Sequence, residues 1–245
     1  MADLHPDWIV PDWPVPPAVK AIITTRAGGV SHGPYASFNP SSRVGDDPAA
    51  VERNLEILRS VLPADPVWLH QVHGIDVADA ESAQPFTHAD AAVAHARHIV
   101  CAVMTADCLP VLLAHREARA VGVAHAGWRG MAAGVIEATL AQLRVPTYEV
   151  MAYLGPAISQ QAFEVGPEVH AAFTNNDKEA GAAFAPAGSG KYHADLYALA
   201  RRRLSRAGVR HIYGGGCCTY TQPERFYSYR RDQVTGRMAS LIWLH

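Results

Sequence analysis

The stretch AVGVAHAGWRGMAAGVIEATLAQLRVP, Ala120 to Pro146, changes its periodicity in mid-course. Its first seven residues are small and apolar and end in a histidine and an alanine, the pattern of a buried strand. From Met131 to Leu143 the apolar residues recur at helical spacing, and Pro146 stops the run. Gly127 and Gly130 turn the chain between the two. The spacing predicts one helix over Met131–Leu143 laid back on a strand, so the fold must combine helices with sheet.

Upstream, AVKAIITT reads as a first strand, and RAGGVSHGPYASFNPSSRVGDDP as a long loop whose arginine, tyrosine, phenylalanine and asparagine suit binding. AAVERNLEILRSVL places Val51, Leu55, Leu58 and Leu62 on one helical face behind the DDP turn. PVWLHQVHG, IVCAVMTA and LPVLLAH are strand-like runs. Downstream, VMAYLGPAI is a strand running into a loop, EVHAAF and HADLYALARRRLSRAG are helices, the second ended by Gly208, and the final segment alternates strands with turns. With no repeat, low-complexity tract or linker, residues 1–245 are expected to form a single mixed α/β domain, residues 1–20 being a Pro-rich N-terminal segment. Neither GxGxxG nor GxxxxGK occurs, so a Rossmann or Walker nucleotide site has little support.

With 21 Lys plus Arg against 23 Asp plus Glu the chain is near neutral, which speaks against nucleic acid or an anionic membrane as partner. The start, MADLHPDWIVPDWPVPP, lacks the basic and apolar regions of a signal peptide, and no apolar run approaches the roughly 20 residues of a membrane span. A soluble, cytoplasmic protein is expected. Cys101, Cys108, Cys217 and Cys218 make no disulfide framework and are read as thiols, the adjacent last two included.

Three residues at strand ends are candidates for chemistry. Cys108 follows Asp107 where a strand gives way to a turn; taken alone it is better explained as a small buried hydrophobe, the commoner fate of a lone cysteine. His125 ends AVGVAHA beside Arg129, at a helix start suited to a phosphate or carboxylate; a satisfied core histidine is the alternative. In HQVHG, extended backbone would turn His70 and His73 to opposite faces, and His73, next to Gly74, is the better placed. Zinc takes such nitrogen and sulfur ligands, three of them leaving a fourth position open, but spacings this long do not by themselves define a metal site.

The segments QVHG, VCAVMTADCLPVLLA, AHAGWRG, LGPAI, FEVG, GGGCCTYT and FYSYRRDQVTGRMASLIWL together resemble the YfiH/YlmD-type family, the laccase-domain or polyphenol-oxidase-like proteins described as purine nucleoside phosphorylases. The resemblance runs from TTRAGGVS to the C-terminal end. It implies an α+β fold, a single-domain four-layer α/β/β/α sandwich with mixed sheets, also similar to bacterial toxin deamidases. It further implies zinc held by His73, Cys108 and His125, and phosphorolysis of adenosine, inosine, guanosine and methylthioadenosine with adenosine deamination alongside. A monomer is the state it implies. Two departures stand out: Arg43 where relatives often have histidine, and Gly216 with Cys217 in place of more polar residues.

Catalytic roles would fall to Cys108, His125, Asp107 and Arg129, with Asp107 equally suited to orienting backbone or a histidine. Arg26, Arg129, Arg230 or Arg231 could hold phosphate; Asn39, Gln71 and Tyr229 could contact substrate, and Tyr35, Phe38 and Tyr227 could stack on a base or simply pack. Copper could occupy the same ligands and support phenol oxidation, although none of the 13 histidines forms a His-x-His motif. A third reading makes Cys108 the nucleophile and His125 the base of an amidase that edits peptidoglycan precursors.

Overall fold

The computed structural model describes residues 3–245; Met1 and Ala2 of the Pro-rich segment lie outside the described residues. In chain order the first half forms β1 (Val19–Ile23), α1 (Pro48–Arg59), β2 (Pro66–Val67), β3 (Val77–Asp79), β4 (Ala91–Ala94), β5 (Val100–Thr105), β6 (Leu109–His115), β7 (Val121–Ala126), α2 (Trp128–Ala133) and α3 (Val135–Gln142). The second half adds β8 (Val150–Leu154), β9 (Glu164–Val165), α4 (Pro167–Thr174), β10 (Phe184–Gly188), β11 (Lys191–Ala194), α5 (Leu196–Arg206), β12 (His211–Gly214), α6 (Tyr229–Asp232) and β13 (Met238–Leu244).

Two mixed sheets stack face to face. One has the order β12-β8-β6-β7-β4-β3 and the other β1-β13-β5-β2, with β10-β11-β9 forming a small third sheet. The central strands are apolar on both faces because both faces are covered, which is why they read as continuous hydrophobic runs. In β5, Cys101 and Val103 point into the layer between the sheets while Val100 and Ala102 face outward to Leu58 and Leu62 of the α1 region. In β6, Leu112 and Ala114 meet that inter-sheet layer, while Val111 and Leu113 pack with Ile136 and Leu140 of α3 and Leu199 and Leu204 of α5. Helix, sheet, sheet and helix therefore follow one another as the resemblance implied, and the fold is α+β. Among the described residues no helix is long and apolar enough to cross a membrane.

Local chemistry sets the helix limits. Asp47 accepts from the amide of Ala49 and Pro48 occupies the first turn of α1, while Asp195 caps α5 by accepting from Ala198. Three sequence expectations change. The helix drawn over Met131–Leu143 is broken at Gly134, whose φ of 114° caps α2 and starts α3. The helix drawn from His193 begins only at Leu196, since Lys191–Ala194 pair with β10 and β9. PVWLHQVHG is strand only at Pro66–Val67; the rest is irregular, and His73 has a φ of 60°.

Candidate metal centre

One end of the six-stranded sheet gathers the three strand-end candidates. Antiparallel pairing sets Leu109 opposite Ala126, so Cys108, immediately before β6, comes beside His125, the penultimate residue of β7. His73 reaches them from the bend between β2 and β3. Its Nε2 lies 3.8 Å from Cys108 Sγ, its ring centre 4.7 Å from that of His125, and the three donor atoms fall within 4.8 Å of one another.

What holds them is Asp90, which sequence reading missed. This fully buried carboxylate accepts His125 Nδ1–H at 2.7 Å and the backbone N–H groups of Val72, His73 and Gly74 at 3.0, 2.9 and 2.7 Å. One side chain thus orients His125 and pins the bend that carries His73. A carboxylate behind a histidine that fixes its tautomer is the usual support of a metal-binding imidazole. The available signal was an aspartate heading the all-small run AAVA, too common a pattern to single out.

Two glycines let these elements meet. A Cβ on Gly127 would lie 2.9 Å from His73 Cδ2 and 3.0 Å from Cys108 Sγ, and one on Gly130 would lie 2.8 Å from the carbonyl of Gly74. Both faces of this corner are in van der Waals contact.

Burial opposes ionisation of Cys108, but the charge and hydrogen bonding of His125 and His73 outweigh it and bring the thiol down to about 6. Burial likewise disfavours charge on His125, and the Cys108 thiolate together with Asp90 raises it to about 9. Asp90 is held below the ordinary carboxylate range: burial works against this, but the His125 hydrogen bond and the N–H groups of Gly74 and Val72 prevail. The donor set fits a mononuclear metal. Two imidazoles and a ready thiolate supply three ligands, Asp90 backs one of them, and the remaining side opens on a cavity. In chelator-treated protein, iodoacetamide should label Cys108 at a rate that is flat above about pH 7 and falls about tenfold per pH unit below its pKa of about 6. Cys101, fully buried and with its pKa raised by burial, should stay unlabelled. A Cys108 rate still climbing through pH 8 would contradict this electrostatic picture.

The cavity has a volume of about 600 Å³, within the range of small-molecule sites. Leu69, Val44, Met104 and Ala106 form its apolar wall, and its lining contains Arg43, Arg129 and Arg237 but no aspartate or glutamate. A smaller pocket of about 140 Å³, walled by Trp128, Ile158 and Phe163, adjoins it at Ala106, Cys108 and Tyr229.

The residues named from sequence divide accordingly. Arg129 lines the cavity, its guanidinium 4.4 Å from the centre of the Trp128 ring, and Tyr229 stands at the junction of the two pockets. Gln71 also lines the cavity, but its amide pairs with the backbone N–H and C=O of Met104 at 2.8 Å each. Asp107 lines the small pocket beside Cys108, and both its oxygens are engaged: it accepts Thr219 Oγ1–H at 2.6 Å and the Arg230 amide at 2.7 Å, tying the C-terminal segment to the β5–β6 turn. Arg230 lines the small pocket and donates to the Glu164 carbonyl. Arg26 lies outside both pockets, donating to the carbonyls of Ala36 and Pro223. Asn39 is fully buried, bonded to Ser41, Asp46 and the Arg237 amide. Phe38 and Tyr227 are core residues, and Tyr35 donates to the Val44 carbonyl. Arg231 is paired with Asp232. Arg237, which no sequence pattern marked, is brought into the cavity by the turn before β13.

A four-layer α+β fold with a His–Cys–His corner that could hold a metal, backed by a buried carboxylate and opening on a cavity lined by arginines, is of one recognisable type. The chain belongs to the multi-copper polyphenol oxidoreductase laccase family, whose model matches residues 20–245, and within it to the YfiH/YlmD type that the sequence motifs indicated. It is 52% identical over 240 residues to the purine nucleoside phosphorylase YfiH of Escherichia coli K12, covering 96% of this chain and 98% of that one. With a purine nucleoside phosphorylase of Pseudomonas aeruginosa it shares 50% identity over 238 residues, covering 97% and 98%. The crystal structure of the Neisseria meningitidis protein NMB0706 superimposes with a TM-score of 0.94 at 53% identity, covering 97% of this chain and 99% of that one. YlmD from Geobacillus stearothermophilus gives 0.86 at 30% identity, covering 94% and 93%.

Proposed function

We propose that this chain is a zinc-dependent purine nucleoside phosphorylase acting on adenosine, inosine, guanosine and methylthioadenosine, with adenosine deamination as a minor activity. The observation that carries the reading is the cavity itself, where the His73–Cys108–His125 corner and three arginines line one space that contains no carboxylate. The names of its relatives support the reaction class.

Zinc held by His73, Cys108 and His125 would supply a Lewis acid and a water of lowered pKa. Phosphorolysis requires phosphate to be placed against the anomeric carbon while the purine leaves. The arginines bind its oxyanions, and the apolar wall of Leu69, Met104 and Ala106 keeps water from competing and strengthens the charge pairing. Tyr229, half-exposed at the pocket junction, offers a ring and a hydroxyl to the nucleoside. Zinc deaminases of bases use a carboxylate to move protons. With Asp90 bound behind His125 and both Asp107 oxygens occupied by Thr219 and the Arg230 amide, neither carboxylate is free for this, so deamination is the slower reaction.

Turnover of adenosine and inosine by metal-analysed protein, with and without phosphate, tests the proposal through chromatography of free bases and ribose 1-phosphate. Base release that requires phosphate, follows zinc content and falls at least 100-fold in Cys108→Ala is the expected result. Fully zinc-loaded protein that releases neither base nor inosine would overturn it and favour an amidase in which Cys108 attacks with His125 as base. The same ligands would bind copper more tightly than zinc. Phenol oxidation that rises with copper content at the expense of phosphorolysis would make the oxidase reading the better one.

A further inference from the structure

Of the 18 arginines of this protein, eight form ion pairs and ten form none among the described residues. Arg53, Arg59, Arg116, Arg119, Arg202, Arg203, Arg206 and Arg231 each lie against a carboxylate. Arg43, Arg129 and Arg237, the three that line the cavity, form no such ion pair among the described residues. Arg237 is fixed by donating to the carbonyls of Thr235 and Gly236, and Arg129 stacks on Trp128.

Arg43 is held differently. It sits on the exposed long loop, and the side-chain hydrogen bond that fixes it runs from Nη2 to Nε2 of His70 at 2.7 Å. His70 is itself fixed: its amide donates to the carbonyl of Thr87 at 2.9 Å, and its ring centre lies 4.1 Å from that of His88. Accepting at Nε2 places the His70 proton on Nδ1. Partial burial and the neighbouring Arg43 and His88 keep this imidazole below the usual histidine range, hence neutral near pH 7.

A neutral acceptor differs from a carboxylate in one respect that matters here. It occupies a single N–H of a guanidinium that has five and leaves the positive charge uncancelled. Phosphate is doubly charged or nearly so at neutral pH and is recognised best by a guanidinium whose orientation is already set. We propose that His70 is a positioning residue that presents Arg43 to the cavity as a ligand for inorganic phosphate. This rests on the phosphorylase reading of the site, and binding and turnover separate the two.

Calorimetry of zinc-loaded protein with inorganic phosphate measures the subsite directly, and inosine phosphorolysis measures its use. In His70→Ala, the phosphate Kd and the KM for phosphate should both rise five- to tenfold, with kcat at saturating phosphate within twofold of wild type. His70→Gln, whose carbonyl oxygen can accept from Arg43, should recover most of the loss. Arg43→Ala should match or exceed His70→Ala, and the double variant should be no worse than Arg43→Ala alone, because His70 acts through Arg43. Phosphate affinity unchanged in His70→Ala, or losses in the double variant that multiply, would overturn the proposal. Phosphate binding that depends on His70 in a wild type unable to phosphorolyse inosine would uphold the subsite and reject the phosphorylase.

Discussion

Replacing Asp90 with asparagine is expected to weaken zinc binding 10- to 100-fold and to lower the melting temperature in the same step. The carboxylate takes four donors on two oxygens: His73 N–H and His125 Nδ1–H on Oδ1, Val72 N–H and Gly74 N–H on Oδ2. An asparagine amide must point its NH2 at one of these pairs. At least one backbone donor then faces a donor, at a cost of roughly 1–3 kcal/mol, and where NH2 takes the Oδ1 side His125 must also change tautomer. For a chain of this size about 2–4 °C is lost for each kcal/mol. The two measurements should move together, because one side chain fastens the bend carrying His73 and orients His125. Zinc affinity equal to wild type, measured by competition with a chromophoric chelator, would show that the ligands hold themselves.

Gly127→Ala should do nearly the reverse, damaging the metal site while sparing the fold. Gly127 has φ −61° and ψ 156°, which alanine adopts without strain, so backbone conformation gives no reason for a glycine. The reason is contact, since the added methyl would press at 2.9 Å on His73 and 3.0 Å on Cys108. Neither ligand can retreat freely, His73 being pinned through its amide to Asp90 and Cys108 lying in the short turn before β6. Overpacking of this kind costs about 1–3 kcal/mol. Most of it falls on the ligand geometry, and a tenfold or greater loss of zinc affinity is expected, with a melting temperature for the metal-free protein within a few degrees of wild type. Retained affinity would mean that the corner has slack.

What could be read from the sequence was whatever its pattern or chemistry marked. Apolar runs such as LPVLLAH and VGVAHA announced covered strands, and residues at their ends, Cys108 and His125, stood out because a thiol and an imidazole are unusual there. His73 was selected by assuming extended backbone; the chain bends instead, yet His70 still points elsewhere, toward Arg43. What escaped was direction and long-range pairing. Asp90, Arg237 and the Arg43–His70 contact depend on groups brought together from distant parts of the chain, and no local spacing encodes them. Asn39, Arg26 and Asp107 were plausible ligands by type, but each spends its polar atoms bracing backbone or a neighbouring side chain. The break at Gly134 was hidden because a glycine within a helical pattern costs only about 1 kcal/mol and often passes without effect.

The position of β13 between β1 and β5 bears on the order in which the protein assembles. Both partners lie in the first half of the sequence, more than a hundred residues before it, and closures of that span come late in folding. The cradle of His73, Asp90, Cys108 and His125 draws on one continuous stretch, residues 73–125, whereas Tyr229 and Arg237 arrive with the segment leading into β13. During synthesis, therefore, the metal donors emerge together with Arg43 and Arg129, and well before Tyr229 and Arg237 complete the cavity.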